Sequence, residues 1–203
     1  MAGLWTVARP APAEAGPKPS YFGSREIKRK NLAPFVKWTD MLKRYEEEQI
    51  IVKNCRPTST LGCAYDDWNE MLAKLEGKDP RTQLDVVHRY MNEARYIIDP
   101  INWGVKDYWA TPGQFFFKDG DCEDYAIAKY MSLRRLGFDK DKMRIVVLQD
   151  LNLRIAHAVL VVQMDGRNLV LDNQIDEVVD ATTIRHYRPY YSINETAWWL
   201  HRS

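Results

Sequence analysis

Three residues stand out for chemistry they could share: Cys122, His157 and Asp172. Cys122 sits in Gly120-Asp121-Cys122-Glu123-Asp124-Tyr125, where a stretch with a helical pattern begins and runs to Gly137. The first turn of a helix leaves backbone N–H groups unpaired and carries roughly half a positive charge, which favours a thiolate. A free cysteine is often a small buried hydrophobe. A preceding glycine and flanking charges make this a poor place to bury one. A cysteine nucleophile needs a base, and the base needs an orienting group. Of His88, His157, His186 and His201, His157 opens the cleanest strand-like run.

The elements that must position these residues follow from period and punctuation. After Gly137 the hydrophobic period changes to two, so 144–149 and 156–163 read as β-strands. Asp165-Gly166 is a hairpin turn signal, with 168–173 as the return strand. If those two residues form the loop, Met164 pairs with Arg167, Val161 with Val170, and Val159 with Asp172. His157 shares a face with Val159, because side chains alternate. His157 and Asp172 then become diagonal neighbours, with Cα atoms roughly 7–8 Å apart and side chains within reach. A three-residue loop would flip the parity and separate them.

Asp119, Asp121, Glu123 and Asp124 crowd the cysteine, and negative charge opposes thiolate formation. Either Glu123 and Asp124 complement the helix N-terminus, or a hard cation such as Ca²⁺ cancels the repulsion. Acyl chemistry also needs donors for an oxyanion. The Cys122 N–H is one; Gln114 or an indole N–H of Trp103 or Trp109 could be the second. The aromatic residues of 101–120 and Trp198-Trp199 either line a groove or belong to the core.

The remaining pattern is helical first. Residues 34–50 and 66–76 read as short helices. A stronger one runs from Pro80 to Ile98 on the stripe Leu84, Val87, Met91, Ala94 and Ile98, closed by Asp99-Pro100. His88 lies beside that stripe as a packed residue. Residues 101–120 read as an aromatic loop. Helices followed by antiparallel strands, with 178–180 continuing the sheet, give an α+β fold. Arg25, Lys28, Arg29 and Lys30 read as a solvated face. Residues 8–19 form a Pro/Ala-rich run expected to be a flexible tail, so residues 1–20 are set apart from one domain over 21–203.

The 203 residues are 45% hydrophobic and 28% charged, enough for a real core. Lys plus Arg number 29 and Asp plus Glu 28, so no global field favours nucleic acid. No apolar run is long enough to span a membrane. Three cysteines are too few for a disulfide scaffold. Cys55 and Cys63 flank a loop that could close in an oxidising compartment or stay as two thiols. Cys122 is left over. Residues 1–20 lack the pattern of a secretory signal, which fits a cytosolic protein or a processed chain.

Several segments together resemble the bacterial transglutaminase-like cysteine peptidases. They are Asp107-Tyr108-Trp109-Ala110-Thr111-Pro112, then Gly120 to Ala126, His157-Ala158-Val159-Leu160 and Leu171-Asp172-Asn173. Tyr21-Phe22-Gly23, Tyr190 to Glu195 and Trp198-Trp199 also fit. The resemblance spans roughly 21–203 and points to the LapG-type branch, the periplasmic adhesin-processing proteases. It implies a papain-like, transglutaminase-like fold with helices packed on an antiparallel sheet, and a Cys122–His157–Asp172 triad. It implies calcium beside the nucleophile, with Asp121, Glu123 and Asp124 at the matching positions; because the strand from Arg144 returns toward the helix start, Asp150 or Asn152 could complete the site. It also implies periplasmic localisation, cleavage of the N-terminal region of a large surface adhesin next to small residues such as Ala-Ala, and release of a biofilm. Sequestration by a membrane receptor for cyclic di-GMP would regulate the enzyme. Two other readings share these residues: acyl transfer to an amine, and a non-catalytic module that docks a partner.

Overall fold

The structure, a computed structural model, describes residues 20–53 and 60–202. The Pro/Ala-rich run at 8–19, Cys55 and the Cys63 side chain lie outside the described residues, and with them the expected tail and the disulfide alternative. The helices are α1 (Val36–Lys53), α2 (Thr60–Leu75), α3 (Pro80–Asn92), α4 (Asp99–Asn102), α5 (Pro112–Lys118) and α6 (Cys122–Arg135). The strands are β1 (Arg25–Arg29), β2 (Met143–Asp150), β3 (Ile155–Met164), β4 (Arg167–Leu171), β5 (Val179–Asp180), β6 (Tyr187–Ile193) and β7 (Trp198–Arg202). They form one sheet, ordered β1-β7-β6-β2-β3-β4-β5, and every pairing is antiparallel.

The sheet is buried on both faces, and alternation along β3 assigns its residues. Leu160 and Val162 join Leu84, Val87, Met91, Ile127 and Leu133 in the main core beneath the helices. Val159 and Val161 face a second cluster with Val146, Val170, Ile184 and Tyr187. Short 3-10 turns at Tyr21–Gly23 and Ala181–Thr183 contribute Tyr21 and Ala181 to that cluster. The β3–β4 hairpin has the expected register: Met164 opposite Arg167, Gln163 opposite Asn168, Val161 opposite Val170. Asp165 and Gly166 both take positive φ, 51° and 73°, as a tight turn between right-twisted strands requires.

Two expectations are corrected. The helix from Pro80 ends at Asn92, not Ile98. Tyr96 instead forms a parallel bridge with Gly120, and Ile97 N–H donates to Gly120 O at 2.9 Å. Residues 101–120 are not one loop: α5 starts in a capping box, Gln114 N–H donating to Thr111 Oγ1 (3.3 Å) and Thr111 N–H to Gln114 Oε1 (3.0 Å). The basic cluster 25–30 falls on edge strand β1 and just beyond it, with all four side chains exposed, where charge discourages edge-to-edge pairing. His88 is buried, its Nε2 2.9 Å from Ile175 O.

Candidate active site

Cys122 is the first residue of α6. Gly120 precedes it because nothing larger fits: an added Cβ would lie 2.7 Å from the Asp124 Cβ. Asp124 fastens the loop to the helix. Its Oδ2 accepts from Asp121 N–H (3.3 Å) and its Oδ1 from Ala110 N–H (2.7 Å). The thiol therefore sits at a helix start, where backbone N–H groups lack intrahelical partners.

His157, near the start of β3, and Cys122 line the same cleft, of about 600 Å³, together with Tyr96, Trp109, Val147 and Tyr191. His157 Nε2 lies 2.8 Å from Asp172 Oδ1. An ionised carboxylate only accepts, so Nε2 carries the proton and Nδ1 keeps its lone pair. Two further donors orient Asp172: Gln174 N–H on Oδ1 (2.9 Å) and Tyr187 O–H on Oδ2 (2.6 Å). Burial alone would raise the Asp172 carboxyl. The hydrogen bond and charge of His157, with Tyr187 and Gln174, outweigh it and hold Asp172 below the usual carboxylate value. The arrangement can take up a thiol proton on Nδ1 while the carboxylate steadies the imidazolium.

Around the thiol the electrostatics run the other way. Burial first, then the charge and hydrogen bond of Glu123 and the charge of Asp121, push the Cys122 thiol up. Its S–H donates to Glu123 Oε2 at 3.1 Å. Burial and the charges of Asp121 and Asp124 push Glu123 up to about 9. Burial pushes Asp99 up to about 6, with the Asp121 charge adding to it. Carboxylates packed this closely repel one another unless a cation or protons neutralise them.

Asp99 was not foreseen in this cluster. It opens α4, is buried, and groups with Asp121 and Asp124, and separately with Asp107 and Glu123. Asp99 Oδ1 and Asp121 Oδ1 are buried acceptors without a donor among the described residues. Two vacant oxygens beside Glu123 suit a hard divalent cation. Asp124, by contrast, already spends both oxygens on backbone N–H groups. Asp150 belongs to none of the acidic clusters: its Oδ1 accepts from Asn152 and Leu153 N–H (2.7 and 3.0 Å) and shapes the β2–β3 turn.

Of the expected second oxyanion donors, Gln114 is committed: its Nε2 donates to Tyr108 (2.9 Å) and its Oε1 accepts from Arg44 and Thr111. Trp103 packs on Tyr108 and under the Lys118 ammonium, and does not line the cleft. Trp109 does. Trp198 and Trp199 serve packing: Trp198 stands against Phe35, and Trp199 lies under Arg144. Tyr187 and Gln174 also escaped the sequence reading, since neither strand β6 nor the 172–175 turn carries a signal for them.

The family model of bacterial transglutaminase-like cysteine proteinases (BTLCP) matches residues 51–201. Among solved structures, Legionella pneumophila LapG is similar at TM-score 0.65 and 30% identity, over 77% of this chain and 87% of that one. Its calcium-bound form gives the same values. The EGTA-treated form gives TM-score 0.66 and 30% identity over 78% and 86%. Comparison with curated protein sequences returns no match. With the family model matching most of its length and 30% identity to LapG over 77% of it, the chain belongs to the bacterial transglutaminase-like cysteine proteinases.

Proposed function

We propose that the protein is a calcium-dependent cysteine endopeptidase working through Cys122, His157 and Asp172. The observation that carries this reading is the His157–Asp172 hydrogen bond, in a cleft that His157 shares with Cys122, the first residue of α6. Cys122 Sγ attacks the scissile carbonyl as its proton passes to His157 Nδ1. The carbonyl π pair moves onto oxygen, where the Cys122 N–H at the helix start receives it. On collapse the C–N bond breaks and His157 returns the proton to the leaving amine. Water then hydrolyses the thioester, with His157 as base.

Asp99, Asp121 and Glu123 would hold the calcium, with Asp107 at the margin and Asp124 bracing the loop. Bound there, the cation supplies positive charge beside the nucleophile and offsets the carboxylates that oppose the thiolate. Support comes from the vacant buried oxygens and from the calcium-bound LapG structure.

Kinship with LapG supports a periplasmic setting and, as substrate, the N-terminal region of a large surface adhesin cut next to small residues such as Ala-Ala. It likewise supports restraint by an inner-membrane cyclic-di-GMP receptor. No helix among the described residues is long and apolar enough to cross a membrane. The test is incubation of purified protein and Ca²⁺ with the N-terminal region of a large repetitive surface protein from the same cell. Wild type should release one defined fragment. Cys122→Ala should release none while keeping its melting temperature, and cleavage by that variant would refute the assignment.

A further inference from the structure

We propose that Tyr96 is a catalytic residue whose phenol O–H is the second donor to the oxyanion, opposite the Cys122 N–H. This inference rests on Cys122 being the nucleophile. The first observation is placement. Tyr96 is 52% exposed, and it lines the same cleft as Cys122 and His157. Cys122 stands on the wall of that cleft with Tyr96, Asp121 and Glu123. An oxygen formed on a carbon bonded to Sγ would appear in the same small space.

The second observation is how firmly the segment is held. Tyr96 bridges to Gly120 in parallel, and Ile97 N–H donates to Gly120 O at 2.9 Å. Arg95 N–H donates to Asp119 Oδ1 at 3.0 Å, and Tyr125 O–H to Ala94 O at 2.5 Å. The ring stacks on Tyr125 at 6.4 Å and 19°. Four consecutive residues are therefore tied to the loop and helix that present the nucleophile. An oxyanion donor gains its effect from such fixed placement, because nothing has to reorganise as charge develops. The sequence continues its helical stripe through Ala94 and Ile98, yet the chain leaves the helix here, and the departure delivers Tyr96 to the cleft.

The chemistry balances without proton transfer to or from the phenol. The S–C bond forms, the carbonyl π pair moves to oxygen, and Tyr96 O–H and Cys122 N–H donate to it. When the C–N bond breaks, the pair returns to re-form the carbonyl. Two candidate donors are spent: Gln114 is committed, and the Trp38 indole donates to Asn194 O at 3.1 Å, while Tyr191 and Lys106 share the cleft wall but lie outside the 94–97 segment tied to the nucleophile loop. Trp109 is the one rival indole on the cleft wall.

Two small reagents separate the roles. p-Nitrophenyl acetate acylates a thiol through a tetrahedral oxyanion, whereas iodoacetamide alkylates it by direct displacement with no oxyanion. With Ca²⁺ present, Tyr96→Phe should slow acylation of Cys122 by at least about tenfold, while alkylation stays within about twofold of wild type. Trp109→Phe should not reproduce that ratio. Acylation unchanged in Tyr96→Phe overturns the inference. So does a parallel fall in both rates, which would make Tyr96 a thiol-positioning residue, or the ratio appearing in Trp109→Phe instead. If Cys122→Ala keeps the acylation burst, the nucleophile itself is misassigned; if it loses the burst and Tyr96→Phe does not slow it, only the oxyanion role fails.

Discussion

Tyr187 donates to Asp172 Oδ2 at 2.6 Å, on the carboxylate oxygen opposite the one that holds His157. Together with Gln174 N–H it fixes the plane of the carboxylate before any substrate arrives. The charge-assisted bond favours the ionised form. Tyr187→Phe removes that donor and lets the Asp172 carboxyl rise. We expect kcat to fall about tenfold, or ~1.4 kcal/mol of barrier, and the acidic limb of the rate profile to move to higher pH. Steady-state kinetics across pH checks both; an unmoved limb would show that His157 alone sets the carboxylate.

Asp172→Asn should be more severe. An amide can donate to Nε2 and so turn the proton onto Nδ1, the nitrogen that must be free to accept from the thiol. Loss of activity on the order of 10³–10⁴ is expected from a wrong tautomer, with the melting temperature showing that the hairpin persists. Activity within tenfold of wild type would remove Asp172 from the relay.

If the acidic cluster holds calcium as proposed, the cation would act on stability as well as on activity. Chelation with EGTA should lower both the melting temperature and turnover; Ca²⁺ should restore them, and Mg²⁺, which demands tighter octahedral geometry, should not. At free Ca²⁺ a hundredfold above Kd the gain is about 2.7 kcal/mol. Asp99→Asn deletes one vacant oxygen charge and should weaken Ca²⁺ binding in calorimetry. An Asp99→Asn protein with wild-type affinity would leave Asp99 out of the ligand set.

Lys129, in the middle of α6, is wholly buried, and its ammonium has no hydrogen-bond partner among the described residues. Burial pulls it down to about 7, with the Asp172 charge opposing the shift and its own charge depressing His88. The unfolded chain binds this proton up to about pH 10.5, the folded chain only to about 7. Stability is therefore lowest below pH 7 and rises with pH between these values. Lys129→Met should be more stable by about 1–4 kcal/mol at pH 6, with the difference shrinking toward pH 10. Urea unfolding at pH 6 and pH 9 measures this; a variant less stable than wild type at pH 6 would mean that the ammonium is compensated.

What the sequence disclosed was local. Asp165-Gly166 pins the β3–β4 register by its backbone demands alone, so the proximity of His157 and Asp172 could be counted residue by residue. The start of α6 at Cys122 and its stop at Gly137 follow from capping and from a glycine φ of 91°. What escaped depended on chain paths. Asp99 follows Ile98 and precedes Pro100, so it reads as a helix stop, and only the fold of 93–111 carries it to Asp121. Thr111 and Gln114 do spell a capping box, masked by the aromatic run around them. Strands β6 and β7 mix exposed charge with buried aromatics, and β1 is charged at every position but Ile27, so their period of two is blurred. Tyr187 reaches Asp172 across the sheet, a relation no spacing encodes.

The central claim is that Cys122 is the nucleophile and His157 its base. It is tested most directly by the second-order rate of iodoacetamide modification at each cysteine, followed by peptide mapping at pH 7 with Ca²⁺ present. Cys122 should react fastest of the three cysteines, and His157→Ala should slow it by about 10² or more, in line with the usual contribution of a positioned base. A Cys122 that reacts no faster than Cys55 or Cys63, or one indifferent to His157→Ala, would contradict the account.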